Sequence, residues 1–172
     1  MLPFDTALGT CGIAWSEAGV TGVLLPGAAG LTRPAPAGHE ARADTMPGAV
    51  RDAVAGIVAL LDGERIDLRW VVLDESGIDP FRRSVYAAAR EIGPGATASY
   101  GDIARAIGKL DAPRAVGHAL GENPFPTVVP CHRVLSAAGS LHGFSAPGGI
   151  ATKRRMLEIE RAPGFTQVAL FA

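Results

Sequence analysis

Residues 99–124 read SYGDIARAIGKLDAPRAVGHALGENP, and their punctuation allows little except two short helices joined by a tight turn. Ser99 followed three residues later by Asp102 is a capping-box start, and Gly108 is a stop signal. Asp111 is expected to cap the second helix, with Pro113 in its first turn. On that second helix Arg114, Gly117, His118 and Gly121 fall on one face, while Val116, Ala119 and Leu120 fall on the other. The second set is a core face. The first is nearly bare of bulk and carries one long cation at its start. Helix, turn, helix is the outline of a DNA-reading motif, and equally of an all-α packing unit with no such role. Ordinary major-groove readers show several polar side chains on that face, and this one shows almost none.

Upstream, residues 12–16 and 19–25 read as two strands joined through Glu17 and Ala18 into a hairpin. Residues 26–48 are rich in Pro, Gly and Ala without periodicity and read mostly as loop. Val50, Val54, Ile57, Val58 and Leu61 recur at helical spacing, with Gly63 as C-cap, so this helix should cover the sheet. Residues 66–74, IDLRWVVLD, read as a partly buried strand. Asp79 as N-cap and Pro80 at the first helical position open a further helix with Phe81, Val85, Ala88 and Ile92 along one stripe. A last helix, about residues 150–161, carries Met156, Leu157 and Ile159. The expected class is α+β: a small N-terminal α/β domain over residues 1–76, built from an antiparallel sheet and a helix, and an all-α domain over residues 77–172. A chain of 172 residues that is 48% hydrophobic can bury the core this needs.

Charge excludes little: 16 basic and 17 acidic residues give a net charge of -1, so a nucleic-acid partner would have to be held by a local patch. The two cysteines, Cys11 and Cys131, lie far apart, and no signal-peptide pattern precedes the first apolar segment. A disulfide framework is not expected, and a reducing cytoplasm is. No apolar run approaches the roughly 20 residues that span a bilayer, so no membrane partner is expected. Cys11 and His39 lack paired-ligand spacing, and no metal site is expected. Gly148 and Gly149 lack the Lys-Ser/Thr ending of a phosphate loop and read as turn glycines.

The chemistry concentrates in VVPCHRV. Cys131 follows Val128, Val129 and Pro130, so its thiol emerges from buried backbone; such a cysteine is either a small inert hydrophobe or, with a base beside it, a nucleophile. His132 can take the thiol proton directly or through one water, and because adjacent side chains diverge the water-bridged geometry is favoured. A basic histidine needs a group behind it. Glu160 lies on the inward face with Met156 and Leu157, whereas Glu158 sits off that stripe in solvent. The spacing leaves two readings open: a Cys131–His132–Glu160 relay resembling a hydrolase triad, or Glu160 pairing with an arginine. Lys153 falls near the same stripe but is expected to snorkel to solvent.

PCHRV, preceded by RAVGHALGENP and SYGDIA and followed by GG and a helix ending at Glu160, resembles the O6-alkylguanine-DNA alkyltransferase family, the methylated-DNA–protein-cysteine methyltransferases. The likeness runs from about residue 79 to 160 and is weaker before that. It implies a ribonuclease-H-like N-terminal domain and a winged-helix-like helix-turn-helix. It also implies irreversible, single-turnover transfer of an alkyl group from O6 of guanine in double-stranded DNA to Cys131, without metal or cofactor, by a monomer. Catalytic roles would fall to Cys131, His132, Glu160, Tyr100 as proton donor to the departing base, and Asn123 as brace of the turn. Arg114 would fill the space of a nucleotide flipped through the minor groove, with Ala115, Gly117, Ser99 and Arg133 as further DNA contacts. Val134, Phe144, Ser145 and Gly148 would line the base pocket. Three positions depart from the family pattern: Phe144 in place of a tyrosine, Ala146 and Pro147 as extra loop residues, and Glu122 where relatives carry a basic group. Two rivals stand beside this reading: a helix-turn-helix regulator or lesion-binding module with an inert Cys131, and a Cys-His-Glu hydrolase.

Overall fold

The computed structural model describes residues 1–31 and 45–166. Strands β1 (Leu2–Thr6), β2 (Gly9–Ser16) and β3 (Gly19–Leu24) form an antiparallel meander in that order. The expected hairpin is β2–β3; β2 starts earlier than residue 12 and β3 ends one residue short of 25. β1 was not anticipated, although its half-buried Leu2, Phe4 and Thr6 alternate with exposed Pro3 and Asp5. Its edge position is what lets it carry a proline. Gly19 has φ +145°, and a Cβ there would meet the Val72 carbonyl oxygen at 2.7 Å, so only glycine permits this approach. Helix α1 (Gly48–Leu61) buries Val50, Ala53, Ile57, Leu60 and Leu61, and Gly63 follows its C-cap with φ +95°. Within the residues expected to be loop, Ala29–Leu31 makes a single 3-10 turn; residues 32–44, His39 among them, lie outside the described residues.

Residues 66–74 do not form the expected strand. Only one parallel bridge, Val20 to Leu73, survives, and Trp70 and Val72 face solvent at 50% and 63% exposure. The reason lies in side-chain competition for the backbone. The Asp67 carboxylate accepts from Arg69 N at 2.9 Å, and Arg90 Nη2 donates to the carbonyls of Leu68, Arg69 and Val71 at 3.2, 2.8 and 2.7 Å. Those groups satisfy the backbone without a ladder.

Helix α2 (Pro80–Arg90) starts at Asp79, whose side chain accepts from Arg82 N, and buries Val85, Tyr86 and Ala89. Helix α3 (Tyr100–Ala106) opens on a complete capping box between Ser99 and Asp102, and Gly108 beyond it has φ +70°. Helix α4 (Pro113–Gly121) departs from expectation: Ala112, not Asp111, is its N-cap, without a side-chain hydrogen bond. Proline at the first position removes one of the amide donors a cap would serve. The C-terminal half is also not all-α. β4 (Ala98–Ser99) pairs in parallel with β5 (Val134–Leu135), two strands too short to leave a periodic signature. Helix α5 (Gly149–Ile159) begins after Gly148 at φ +80° and buries Lys153, Met156 and Leu157.

The result is α+β. Buried residues from both halves, including Ile13, Val23 and Ile57 on one side of residue 76 and Val85, Val116 and Phe125 on the other, form one continuous cluster. Val23 N donates to Pro124 O at 2.8 Å, so β3 is tied to the segment that follows α4. Among the described residues no helix is long and apolar enough to cross a membrane.

Tyr86 links α2 to α4, its hydroxyl donating to the buried Ala119 carbonyl at 3.0 Å. Replacing it by Phe leaves that carbonyl only the longer contact from Glu122 N at 3.3 Å, and Tyr86→Phe should lower unfolding free energy by about 1 kcal/mol in urea titrations while leaving the circular dichroism spectrum unchanged.

Candidate active site

The site is built on a buried hairpin of loop. Asn123 Oδ1 accepts from Phe125 N at 2.9 Å and its Nδ2 donates to Val129 O at 2.8 Å, so one side chain holds both arms of the turn. Thr127 sits between them at φ +77°, and Val128 and Val129 are buried. After Pro130 the backbone closes into a 3-10 turn, Cys131–Arg133, which leads into β5. Half-buried Cys131 lines an apolar cavity of about 500 Å³. Phe144 and Ser145 contribute to its wall, as do Ala146 and Pro147. Leu24, Leu25 and Ala28 close it from the N-terminal half, a contribution that no local pattern announces because it arises from contacts over a hundred residues apart.

His132 is wholly buried, and its Nε2 lies 2.8 Å from Glu160 Oε1. Glu160 also receives Arg133 Nε on Oε2 and Arg133 Nη2 on Oε1, each at 2.8 Å, and Gly95 N on Oε2 at 3.1 Å. The pairing of Glu160 with an arginine and the His132–Glu160 leg of the relay are present together: the carboxylate holds the imidazole and an arginine at once. Burial pushes the Glu160 carboxyl up, but the neighbouring His132 and Arg133 outweigh it and hold it well below the usual carboxylate range. Burial pushes His132 down against the pull of Glu160, so the ring rests neutral. A carboxylate only accepts hydrogen bonds, so the proton of the neutral ring sits on Nε2. That leaves the buried Nδ1 as a free lone pair without a partner among the described residues. Burial raises the Cys131 thiol, opposed by the Asn123 amide and the Lys153 charge.

Lys153 does not snorkel. It is fully buried, donates from Nζ to Val134 O at 2.6 Å and His142 O at 3.3 Å, and lies 5.9 Å from the Tyr100 ring centre. The signal for this was its place one turn before Met156 and Leu157 on the inward stripe. Tyr100 is half-buried, its hydroxyl 3.4 Å from His142 O. It lines a second cavity of about 510 Å³ together with Pro113, Arg114 and Gly117.

The model of the 6-O-methylguanine DNA methyltransferase DNA-binding domain matches residues 80–162. A methylated-DNA–protein-cysteine methyltransferase of Mycobacterium tuberculosis is 44% identical over 125 residues, 73% of each chain. One from Methanothermobacter thermautotrophicus is 33% identical over 149 residues, 87% of this chain and 78% of that one. The chain belongs to this methyltransferase family. A crystal structure of the M. tuberculosis protein OGT in complex with DNA superposes with TM-score 0.69 at 33% identity, covering 95% of this chain and 94% of that one. The O6-methylguanine-DNA methyltransferase of Pyrococcus kodakaraensis superposes with TM-score 0.63 at 28% identity, covering 92% and 96%.

Within this methyltransferase, some residues expected at the site stand elsewhere. Arg133, expected on DNA, is 5% exposed, and its guanidinium is consumed by Glu160 and by Ile92 O at 2.6 Å. Three of its five N–H groups are engaged, and burial keeps the rest from reaching a phosphate. Val134, expected to line the base pocket, is wholly buried in the core, and it is its carbonyl that serves, on Lys153. Gly148 is the left-handed start of α5. Ser99 spends its hydroxyl on Asp102. Arg114 and Ala115 are exposed on α4, and Arg114 makes no hydrogen bond or ion pair among the described residues. Glu122 lies 3.3 Å from Arg82, which balances the acidic departure.

Because the Glu160 carboxyl is depressed, its pairing stabilises the fold above the ordinary carboxylate pKa of about 4.3 and is lost as pH falls toward the folded value. Wild-type urea midpoints should therefore drop from about pH 5 downward, and Glu160→Gln should show a shallower drop over that range. Parallel slopes would mean that the carboxylate does not carry this dependence.

Proposed function

We infer that this protein repairs O6-alkylguanine in DNA by moving the alkyl group irreversibly onto Cys131. The observation that carries the reading is Cys131 at the wall of an apolar cavity, followed in the chain by a neutral, carboxylate-anchored imidazole whose Nδ1 has no partner among the described residues. In this reading the thiol proton passes to His132 Nδ1, through one water, and the thiolate attacks the alkyl carbon on O6. The S–C bond forms as the C–O6 bond breaks, and guanine leaves after Tyr100 donates a proton to N3. Protonating the base makes it a better leaving group. Lys153 faces the developing negative charge from a water-poor position. A thioether has no comparable leaving group, so each molecule acts once.

The reacting atom is inside the base stack, which requires the nucleotide to be turned out of the duplex. Support for that step comes from α3–turn–α4: Arg114 projects from the start of α4, and Gly117 keeps the helix surface low, an added Cβ lying 3.7 Å from the Tyr100 ring. Arg114 would then occupy the vacated place, entering by the minor groove. α3 and α4 act as the helix-turn-helix of a C-terminal part, with the sheet and α1 as an N-terminal, ribonuclease-H-like part. Near-neutral charge fits modest, sequence-independent binding through phosphates by a monomer.

Incubation with duplex DNA carrying one O6-methylguanine should add a single methyl group per chain, mapped to Cys131 by peptide mass spectrometry. Cys131→Ser should add none while retaining DNA affinity; a regulator with an inert thiol adds none in either form, and a hydrolase stays unmodified after turnover.

Arg114→Ala should slow repair of duplex at least about tenfold, the equivalent of losing a contact worth ~1.4 kcal/mol, while reaction with a free O6-alkylguanine base is nearly unchanged. Equal losses on both substrates would remove the extrusion role.

A further inference from the structure

Arg133 neighbours the acceptor cysteine in sequence, yet its guanidinium points away from solvent and is spent on two acceptors, the Glu160 carboxylate and Ile92 O. Nε and Nη2 grip opposite oxygens of Glu160 at 2.8 Å each, a fork that a carboxylate accepts only as an anion. With His132 Nε2 and Gly95 N, the carboxylate has four donors and no position left for a proton. We propose that Arg133 is a positioning residue for the transfer: by keeping Glu160 ionised and charge-balanced, it fixes His132 as the Nε2–H tautomer and keeps Nδ1 free to accept the thiol proton.

Charge count decides the protonation of this buried site. A lone buried carboxylate beside an imidazole draws a second proton onto the ring, because the ion pair relieves the uncompensated anion. A ring already doubly protonated is no base. Arg133 supplies the compensating cation instead, so the resting pair Arg133–Glu160 is neutral and the ring beside it stays neutral too. When the thiol ionises, its proton goes to Nδ1, and the imidazolium so formed faces Glu160 on one side and the thiolate on the other. The remaining charged or titratable groups around the ring are Lys153 from α5, Cys131 on the same turn and Tyr100 from α3. Arg65 lies beyond Gly95, within 3.3 Å of where its Cβ would be. Lys153 pushes His132 in the same direction as Arg133, but it is held by backbone carbonyls and not by Glu160, so substitution at 133 separates the two. Arg133 has a second hold: through Ile92 it fixes the loop that Gly95 anchors and that runs into β4 and Tyr100.

The proposal rests on the alkyl-transfer reading, and its test is the single-turnover rate of methyl transfer from O6-methylguanine duplex as a function of pH. In the wild type the rate falls as pH drops through the His132 pKa. Arg133→Gln keeps a hydrogen-bond donor but removes the charge; it should move that midpoint up by about one pH unit and recover to within a few-fold of wild type at high pH. Arg133→Lys restores the charge and should return the midpoint to the wild-type position even where the rate is lower. In a Glu160→Gln background, Arg133→Gln should move the midpoint no further. A uniform loss at every pH with an unmoved midpoint overturns the proposal and leaves Arg133 a packing residue. Should Arg133→Gln not fold, as judged by thermal melts, Arg133→Lys decides alone: a displaced midpoint with the charge retained overturns it. Absence of transfer in the wild type would instead sink the alkyl-transfer reading.

Discussion

One buried carboxylate organises the chemistry of this molecule. Glu160 closes α5, and its two oxygens gather three groups from two separate stretches of chain: the amide of Gly95, and the ring of His132 with the guanidinium of Arg133. Taking such an anion out of water costs several kcal/mol unless its lone pairs are filled, and here they all are. Because the carboxylate can only accept, it also dictates which imidazole nitrogen carries hydrogen. In the proposed transfer, the direction of proton flow at Cys131 is thus set by Glu160 through His132.

Around that centre lie two cavities. One is the apolar cavity lined by Cys131, Leu24, Leu25, Phe144 and Pro147; the other opens on the surface of α3 and α4, with Tyr100, Gly117 and Arg114, which has no partner among the described residues. Ala146 and Pro147, the residues read from the sequence as an extension of the loop, are part of the wall of the first cavity, and Pro147 lies against the Gly27 turn, where an added Cβ would sit 3.2 Å from it.

How far the sequence alone reached depends on the range of the interactions involved. Local signals were legible: the capping box at Ser99, the Asp79 cap with Pro80, the turn at Glu17 and Ala18, and the glycine after α1. So was the inward face of α5 that carries Glu160. What failed was decided by partners distant in sequence. Residues 66–74 have strand composition but surrender their carbonyls to Arg90, and Lys153 looks like a snorkelling lysine until Val134 and His142 offer it carbonyls. Arg133 sits beside a nucleophile and reads as a DNA contact; only the fold reveals the carboxylate behind it. β4 and β5, two residues each, lie below the length at which alternation is visible.

The tie between Val23 and Pro124, and the single apolar cluster that runs from the meander through α2 and α4, have a consequence for how this molecule can be taken apart. A cut near residue 76 would expose hydrocarbon on both fragments, and the N-terminal one would carry away Leu24 and Leu25 from the wall next to the sulfur. The catalytic half is therefore no portable cassette: grafted elsewhere without its meander, it would bring the motif along and leave part of its active-site wall behind.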